Sequence, residues 1–184
     1  MAIETMFTVP LFRFRIADWA EHKRRILASL PESGPHLLSP AGDTFTDFFV
    51  NQQSGVLPSY KDAVVKAVEP SLQEFAARYP ENPKIDAMWF ERSRRSNYHG
   101  AHNHGSLGFS AVLYVEFDAA LHKPTRFLAP FMNFYAGGLM EHSPADVQEG
   151  TLLLFPSILI HEAPPNNSDQ QRTIVSFNVK GGQA

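Results

Sequence analysis

Residues 102–118, HNHGSLGFSAVLYVEFD, govern how the rest of the chain is read. The odd positions from 107 are Leu107, Phe109, Ala111, Leu113, Val115 and Phe117, all apolar. The even positions, Gly108, Ser110, Val112, Tyr114, Glu116 and Asp118, are mixed. A period of two sends successive side chains to opposite faces, so the run predicts a strand with a core on one side and a more polar space on the other. His102 and His104 stand just before it. Residues i and i+2 of an extended segment share a face, so both imidazoles can reach one point, as metal ligands must. The plain alternative is two solvated or hydrogen-bonded loop histidines.

Working outward, the same alternation recurs in KIDAMWFERS (84–93), TLLLFP (151–156), SILIHEA (157–163) and RTIVSFNV (172–179). Further short strands are expected around RFLAPFMNFY (126–135), inside the Pro-, Gly- and Asn-rich stretch 119–149. The first third of the chain reads differently. MFTVPLFRF (6–14) fits a strand that Pro10 confines to a sheet edge. Asp18 is a candidate cap for a helix over 19–30 with Trp19, Ile26, Leu27 and Leu30 on its apolar face. The segment 31–57 reads as loop with a short strand at FTDFFV (45–50). Over 58–79, Tyr60, Val64, Val68, Leu72, Phe75 and Tyr79 form one helical stripe, which Pro70 should kink or split. Helices first, then many strands without intervening helices, argue against a parallel α/β sheet. They fit a jelly-roll, cupin-like double sheet: one domain, with a strand and supporting helices in 1–83 and the β core in 84–180.

The stretch 149–179 adds two candidates. Pro164, Pro165, Asn166 and Asn167 supply turn chemistry between two apolar segments. Read as an antiparallel hairpin, 157–163 and 172–179 bring His161 and Arg172 to the neck of the loop, with Cβ atoms about 5 Å apart if they are opposite. Arg172, Ile174, Ser176 and Asn178 share the more polar face of their strand. A guanidinium aimed into a low-dielectric space needs a partner, and a carboxylate ligand held in two hydrogen bonds would serve. A surface charge beside a loop is the alternative. Ser110 and Tyr114 share the cavity parity and could bond such a ligand or simply pack. His99 could support the pair from behind or be solvated, and His142 reads as loop. Arg92, Arg94 and Arg95 read as a solvated strand end that could attract an anion, and Trp89 as core.

Composition narrows the classes. With 184 residues, 43% hydrophobic and 19% charged, the chain can bury a core of its own. No cysteine is present, so His and carboxylates are the available metal ligands. A formal charge of −3 gives no pull toward nucleic acid. No apolar run approaches the roughly 20 residues of a membrane span, and MAIETMFTVP lacks the pattern of a signal peptide. The cytoplasm is the expected compartment.

Taken together, these pieces resemble the non-haem iron(II), 2-oxoglutarate-dependent oxygenases, in particular their small bacterial and phage members. The similarity covers most of the chain: LFRF (11–14), MWFERSRRSNYHGAHNHGS (88–106), GFSAVLYV (108–115), and above all EGTLLLFPSILIHEAPPN (149–166) with RTIVSFN (172–178). The resemblance implies a double-stranded β-helix, iron(II) as cofactor, and 2-oxoglutarate and dioxygen as small-molecule cosubstrates. It makes His102 and His161 iron ligands and Arg172 the anchor of the far carboxylate of 2-oxoglutarate, with Ser176 and Tyr114 as further cosubstrate contacts. No catalytic residue is implied beyond these ligands, and the substrate could be a small molecule or a peptide. Two positions depart from the larger family. His104 stands where Asp or Glu is usual, although H-x-H recurs in the small group, and Ile174 replaces a Ser often found two residues after the arginine. Glu162, Glu116 and Asp118 are alternative third ligands, ranked behind His104 for their position along the strands. Two other readings stay open: a three-histidine cupin-type dioxygenase that does not use 2-oxoglutarate, and a jelly-roll module without enzymatic activity.

Overall fold

The period-two segments fold as strands, and their partners are set by which face each must bury. The structure is a computed structural model describing residues 8–32, 37, 44–55, 57–79 and 83–181. In chain order the elements are β1 (Phe12–Arg15), α1 (Trp19–Ser29), β2 (Phe45–Thr46), α2 (Phe48–Ser54), α3 (Lys61–Arg78), β3 (Pro83–Ser93), β4 (His99–His102), β5 (Phe109–Glu116), β6 (Arg126–Met132), β7 (Leu139–His142), β8 (Thr151–Pro156), β9 (Ile160–Ala163) and β10 (Arg172–Gly181). A larger sheet has the order β1-β8-β5-β10-β3-β2 and a smaller one β4-β9-β6-β7, all antiparallel. From β3 to β10 the chain passes back and forth between the two sheets. That alternation is the double-stranded β-helix, the jelly-roll fold expected from the sequence.

Parity then sorts the side chains into two layers. Ala111, Leu113 and Val115 join Leu152, Leu154, Val175 and Phe177 in a core with Ile26, Val64, Val68 and Phe75 from the helices. Val112 and Tyr114 join Leu153, Phe155, Ile174 and Phe127 between the sheets. The helices therefore cover the outside of the larger sheet, while the inter-sheet face holds the polar cavity. Gly150 seats α1: its φ is +73°, and a Cβ there would lie 2.7 Å from the Trp19 ring.

Several local expectations are corrected. Residues 6 and 7 of the first strand and residues 33–36, 38–43 and 56 of the loop 31–57 lie outside the described residues; β1 begins after Pro10 and is a sheet edge as expected. Asp18 is left-handed at φ 47° and its side chain makes no cap; its carbonyl accepts the N–H groups of Glu21 and His22 instead. Pro70 does not split α3, which runs through it for 18 residues. The buried stripe of Val64, Ala67, Val68, Ser71 and Phe75 holds both halves to the sheet. In FTDFFV only two residues are strand. Asp47 then turns the chain into α2, its carboxylate accepting the Tyr60 hydroxyl (2.8 Å) and the Phe90 N–H (2.9 Å). His142 lies in β7 opposite Phe127, not in a loop, and β4 was not foreseen.

The largest correction concerns the final pair. β9 and β10 are not a hairpin: β9 lies between β4 and β6, and β10 between β3 and β5. Arg172 therefore faces Ser93, and His161 faces His102 and Phe127. Buried Asn166 fixes the crossing, donating to the carbonyls of Ser93 (3.1 Å) and Gln170 (2.9 Å). A second correction is a bulge at Val115, where Thr173 pairs with Glu116 but Ile174 with Tyr114. It reverses parity, so Phe117 enters the inter-sheet cluster and Glu116 is held by Thr173 and by Gln171 (3.1 Å) on the other face.

Candidate metal centre

His102 and His161 are direct partners in the β4–β9 ladder, which places their rings side by side, centroids 4.5 Å apart. Each Nδ1–H donates to a carbonyl two residues upstream, His102 to Gly100 (2.7 Å) and His161 to Leu159 (2.9 Å). Those bonds fix the tautomer and leave both Nε2 atoms with free lone pairs. His104 follows β4. Its N–H donates to the Ser157 carbonyl (2.9 Å), and the Ser157 N–H donates to Gly108 (3.0 Å), so backbone bonds position it. Gly108 cannot be replaced there: at φ +82° its Cβ would meet the Val179 carbonyl oxygen at 2.5 Å. Ring nitrogens of His102, His104 and His161 lie within 4.8 Å of one another, a grouping that could hold one metal ion.

The electrostatics favour neutral rings. Burial pushes the pKa of His161 down to about 3 and of His104 to about 4, and lowers that of His102, with neighbouring imidazoles adding to the effect. Behind His102, the His99 ring stacks at 4.0 Å. His99 Nδ1–H and the Trp89 indole N–H both donate to Glu91 Oε1, at 3.0 and 3.1 Å. Burial alone would raise the Glu91 carboxyl, but these bonds and the charges of His99 and Arg172 hold it below its usual range. Glu91 went unnoticed in the sequence. Its one signal was parity: it shares a face with Trp89, and here both line the cavity.

That cavity, with only about 20 Å³ of accessible space, is walled by the three histidines together with Trp89, Glu91, Thr125, Phe155, Ile174 and Ser176. Arg172 stands on the same face of β10 as Ile174 and Ser176 and is 5% exposed. Its Nη1 donates to the carbonyls of Lys123 (3.1 Å) and Pro164 (3.4 Å). Burial lowers its pKa, and the nearby Tyr114 and Glu91 oppose that. Tyr114 sits inside the wall, its hydroxyl bonded to the Thr125 hydroxyl (2.8 Å) and accepting the Thr125 N–H (2.9 Å). The alternative carboxylates are engaged elsewhere. Glu162 is paired with Arg126, Glu116 is turned away by the bulge, and Asp118 accepts the Ala120 N–H. Of the basic run, Arg95 pairs with Asp169 at the surface and Arg92 lies over Phe90 on the helix side.

Against this geometry, the model of the family described as "Putative 2OG-Fe(II) oxygenase" matches residues 87–178, half of the chain and nearly all of the β core. The chain belongs to the 2OG-Fe(II) oxygenase family. No curated protein sequence matches it. Solved structures share the fold. A viral collagen prolyl hydroxylase from Paramecium Bursaria Chlorella virus-1, in complex with 2OG, is 10% identical with a TM-score of 0.61, covering 94% of this chain and 96% of that one. A Pseudomonas putida prolyl-4-hydroxylase is 17% identical with a TM-score of 0.57, covering 96% and 95%. HygX from Streptomyces hygroscopicus, with nickel and 2-oxoglutarate bound, is 11% identical with a TM-score of 0.60, covering 94% and 83%. This 2OG-Fe(II) oxygenase is thus an oxidoreductase whose cofactor is iron(II) and whose cosubstrate is 2-oxoglutarate. Its residues fit the ion, because three neutral imidazoles, two of them with oriented Nε2 atoms, are a donor set that iron(II) accepts. No helix among the described residues is long and apolar enough to cross a membrane.

Proposed function

We propose that the chain is a single-domain hydroxylase of a small-molecule or peptide substrate, with His102, His104 and His161 holding the iron and Arg172 binding the far carboxylate of 2-oxoglutarate. One observation carries this reading: three neutral imidazoles converge on a cavity lined by Ile174 and Ser176, and the buried Arg172 stands on the same face of that strand. With iron and 2-oxoglutarate bound, dioxygen would be the oxidant for an unactivated C–H bond, 2-oxoglutarate giving up two electrons as it is converted to succinate and carbon dioxide. The chain's own contribution is placement. The Gly100 and Leu159 carbonyls orient the two facing ligands, and the Lys123 and Pro164 carbonyls hold Arg172. Phe155, Ile174 and Trp89 keep water out of the cavity they line. Ser176 offers a hydroxyl to the cosubstrate from the wall, and Tyr114 acts by bracing Thr125 beside it. His104 takes the position of the usual carboxylate, since the nearby carboxylates have other partners. A cytoplasmic location completes the reading on sequence grounds.

The test compares His104→Ala, Glu162→Gln and Arg172→Gln in purified protein by metal content and by succinate formed from 2-oxoglutarate with iron(II) and ascorbate. His104→Ala should lose metal affinity by about 100-fold or more, whereas Glu162→Gln should keep it. Arg172→Gln should keep its metal and lose 2-oxoglutarate affinity by roughly 100-fold, as removal of a buried charge-assisted pair implies. Wild-type succinate formation by Arg172→Gln would overturn the role given to that arginine.

A further inference from the structure

The hairpin of β6 and β7 carries an apolar surface that nothing among the described residues covers. From Phe127 to Met140 the sequence has no charged residue. Phe134 and Tyr135, at the tip, are 86% and 103% exposed, and Leu139, which opens β7, is 71% exposed. Phe131, Met132 and Met140 beside them are exposed as well. The tip is a built turn. The Asn133 carboxamide oxygen accepts the N–H groups of Tyr135 and Ala136, both at 2.9 Å. The Asn133 N–H donates to the Gly138 carbonyl (2.8 Å), and the Gly137 N–H to the Asn133 carbonyl (2.9 Å). Phe131 and Phe134 stack with ring centroids 6.2 Å apart. Backbone geometry thus holds the aromatic rings outward.

Area, backbone and charge together select the occupant of this surface. At about 150–250 Å² for a whole aromatic side chain, six side chains of these exposures present roughly 750 Å². The largest apolar patch of a typical monomer is about 300–600 Å², whereas a stable complex buries about 800 Å² on each partner. The hairpin alone is therefore the size of half an interface. β7 is also the outer strand of the smaller sheet, so one of its edges has no strand beside it. Proteins commonly blunt such edges with Lys, Pro or a bulge. β7 (LMEH) has neither Lys nor Pro, and the extra residues of its register shift fall on β6, between Leu128 and Met132. Glu141 is paired with Arg126 (3.2 Å), so two copies meeting edge to edge bring no unmatched carboxylate together. An anionic lipid surface would instead call for Lys or Arg beside the aromatic tip, and residues 127–142 contain none.

We propose that this hairpin is a homodimer interface, in which β7 pairs antiparallel with β7 of a second copy about a two-fold axis. The tip aromatics of each copy pack on the hairpin of the other. An antiparallel strand pair is symmetric about such an axis, so one strand serves as both halves of the contact. The two smaller sheets join into one continuous sheet. No wall residue of the metal cavity takes part, so the pairing is independent of the roles given to the histidines and Arg172.

Sedimentation velocity on the manganese(II)-loaded wild type should show a dimer with a dissociation constant of about 10 µM or tighter, toward the weak end for interfaces of this size. Leu139→Lys, and separately the double variant Phe134→Ser with Tyr135→Ser, should each weaken self-association about thirtyfold or more, as loss of a central apolar anchor does. Both change exposed side chains, so far-ultraviolet circular dichroism and manganese content should match wild type. The chain has no cysteine, which allows a site-specific check. A short bis-maleimide should capture Met140→Cys as a dimer but not Phe49→Cys, which is exposed on α2 beside β3 of the larger sheet. A wild type that is monomeric at about 100 µM, well above the affinity such an interface gives, would overturn the proposal. So would a dimer unchanged in both variants, or capture at position 49 as readily as at position 140. Monomeric wild type that sediments with phosphatidylcholine–phosphatidylglycerol vesicles through Phe134 and Tyr135 would also overturn it, making the hairpin a lipid contact.

Discussion

His104 and His161 illustrate how a single side chain is tuned by where the backbone puts it. Both rings are held mostly out of water beside other imidazoles, so the proton is disfavoured and the lone pair is kept for a metal. In the unfolded chain the same rings titrate near the ordinary value of about 6.5. Between that value and about 4, the unfolded state binds protons that the folded state refuses. Stability contributed by these groups is therefore complete above pH 6.5 and is lost as pH falls. Metal-free protein should show a lower urea midpoint at pH 5.5 than at pH 7.5, with a slope of at most about 1.4 kcal/mol per pH unit for each ring. The His161→Ala variant should show a flatter dependence. A wild-type midpoint that does not move between the two pH values would mean that the rings protonate normally in the fold. At this scale the sequence was informative about identity: His102, His104, His161 and Arg172 could all be singled out. It was silent on Glu91, because a strand's alternation shows which residues share a face but not which of them find partners.

Elements were legible where one face is strongly apolar. The alternation of 109–115, 151–156 and 172–179 and the stripe of α3 all appear in the structure, since burial of a continuous face overrides local preference. Short or bent pieces were not legible. FTDFFV has the composition of a strand, yet Asp47 turns it into α2 by accepting from Tyr60 and Phe90, and both partners are distant in sequence. Burial raises the Asp47 pKa, and the Phe90 N–H and Tyr60 hydroxyl oppose that shift. Asp47→Ala would strand a buried N–H and a buried phenol. It should cost about 2–3 kcal/mol in urea unfolding, whereas Asp47→Asn, which keeps an acceptor for one of them, should cost less. Equal midpoints for the alanine variant and wild type would mean the junction is held by packing alone. The bulge at Val115 was hidden for a similar reason. Its effect is large, because one extra residue turns Glu116 and Phe117 to the opposite faces from those the alternation predicts.

The whole molecule depends on repeated crossing between two sheets. Loop 164–171 has the prolines and asparagines of a hairpin turn, but it carries the chain from the smaller sheet to the larger one. Asn166 makes the crossing stable. It is 1% exposed, bonds the Ser93 and Gln170 carbonyls through its amide, and joins the 94–97 turn through Asn97 and Ser96. Asn166→Ala would remove the side-chain donor of the Ser93 carbonyl and leave the Gln170 carbonyl to His122 alone, and should lower stability by about 2–3 kcal/mol. It should also weaken 2-oxoglutarate binding, since β10 and Arg172 begin where this loop ends; thermal melts and calorimetry read the two effects separately. An unchanged Tm would place the strength of the crossing elsewhere.

The sequence by itself determined the long strands and the two long helices, the apolar faces those elements bury, and which side chains have the chemistry for a metal and an anion. These follow from short-range periodicity and residue type, which need no partner to be read. Only the tertiary structure decided that β9 and β10 lie in different sheets, that Glu116 turns away from the cavity, and that Ser93 stands opposite Arg172. Pairing between distant strands depends on where every other strand has already been placed, and no local pattern carries that information.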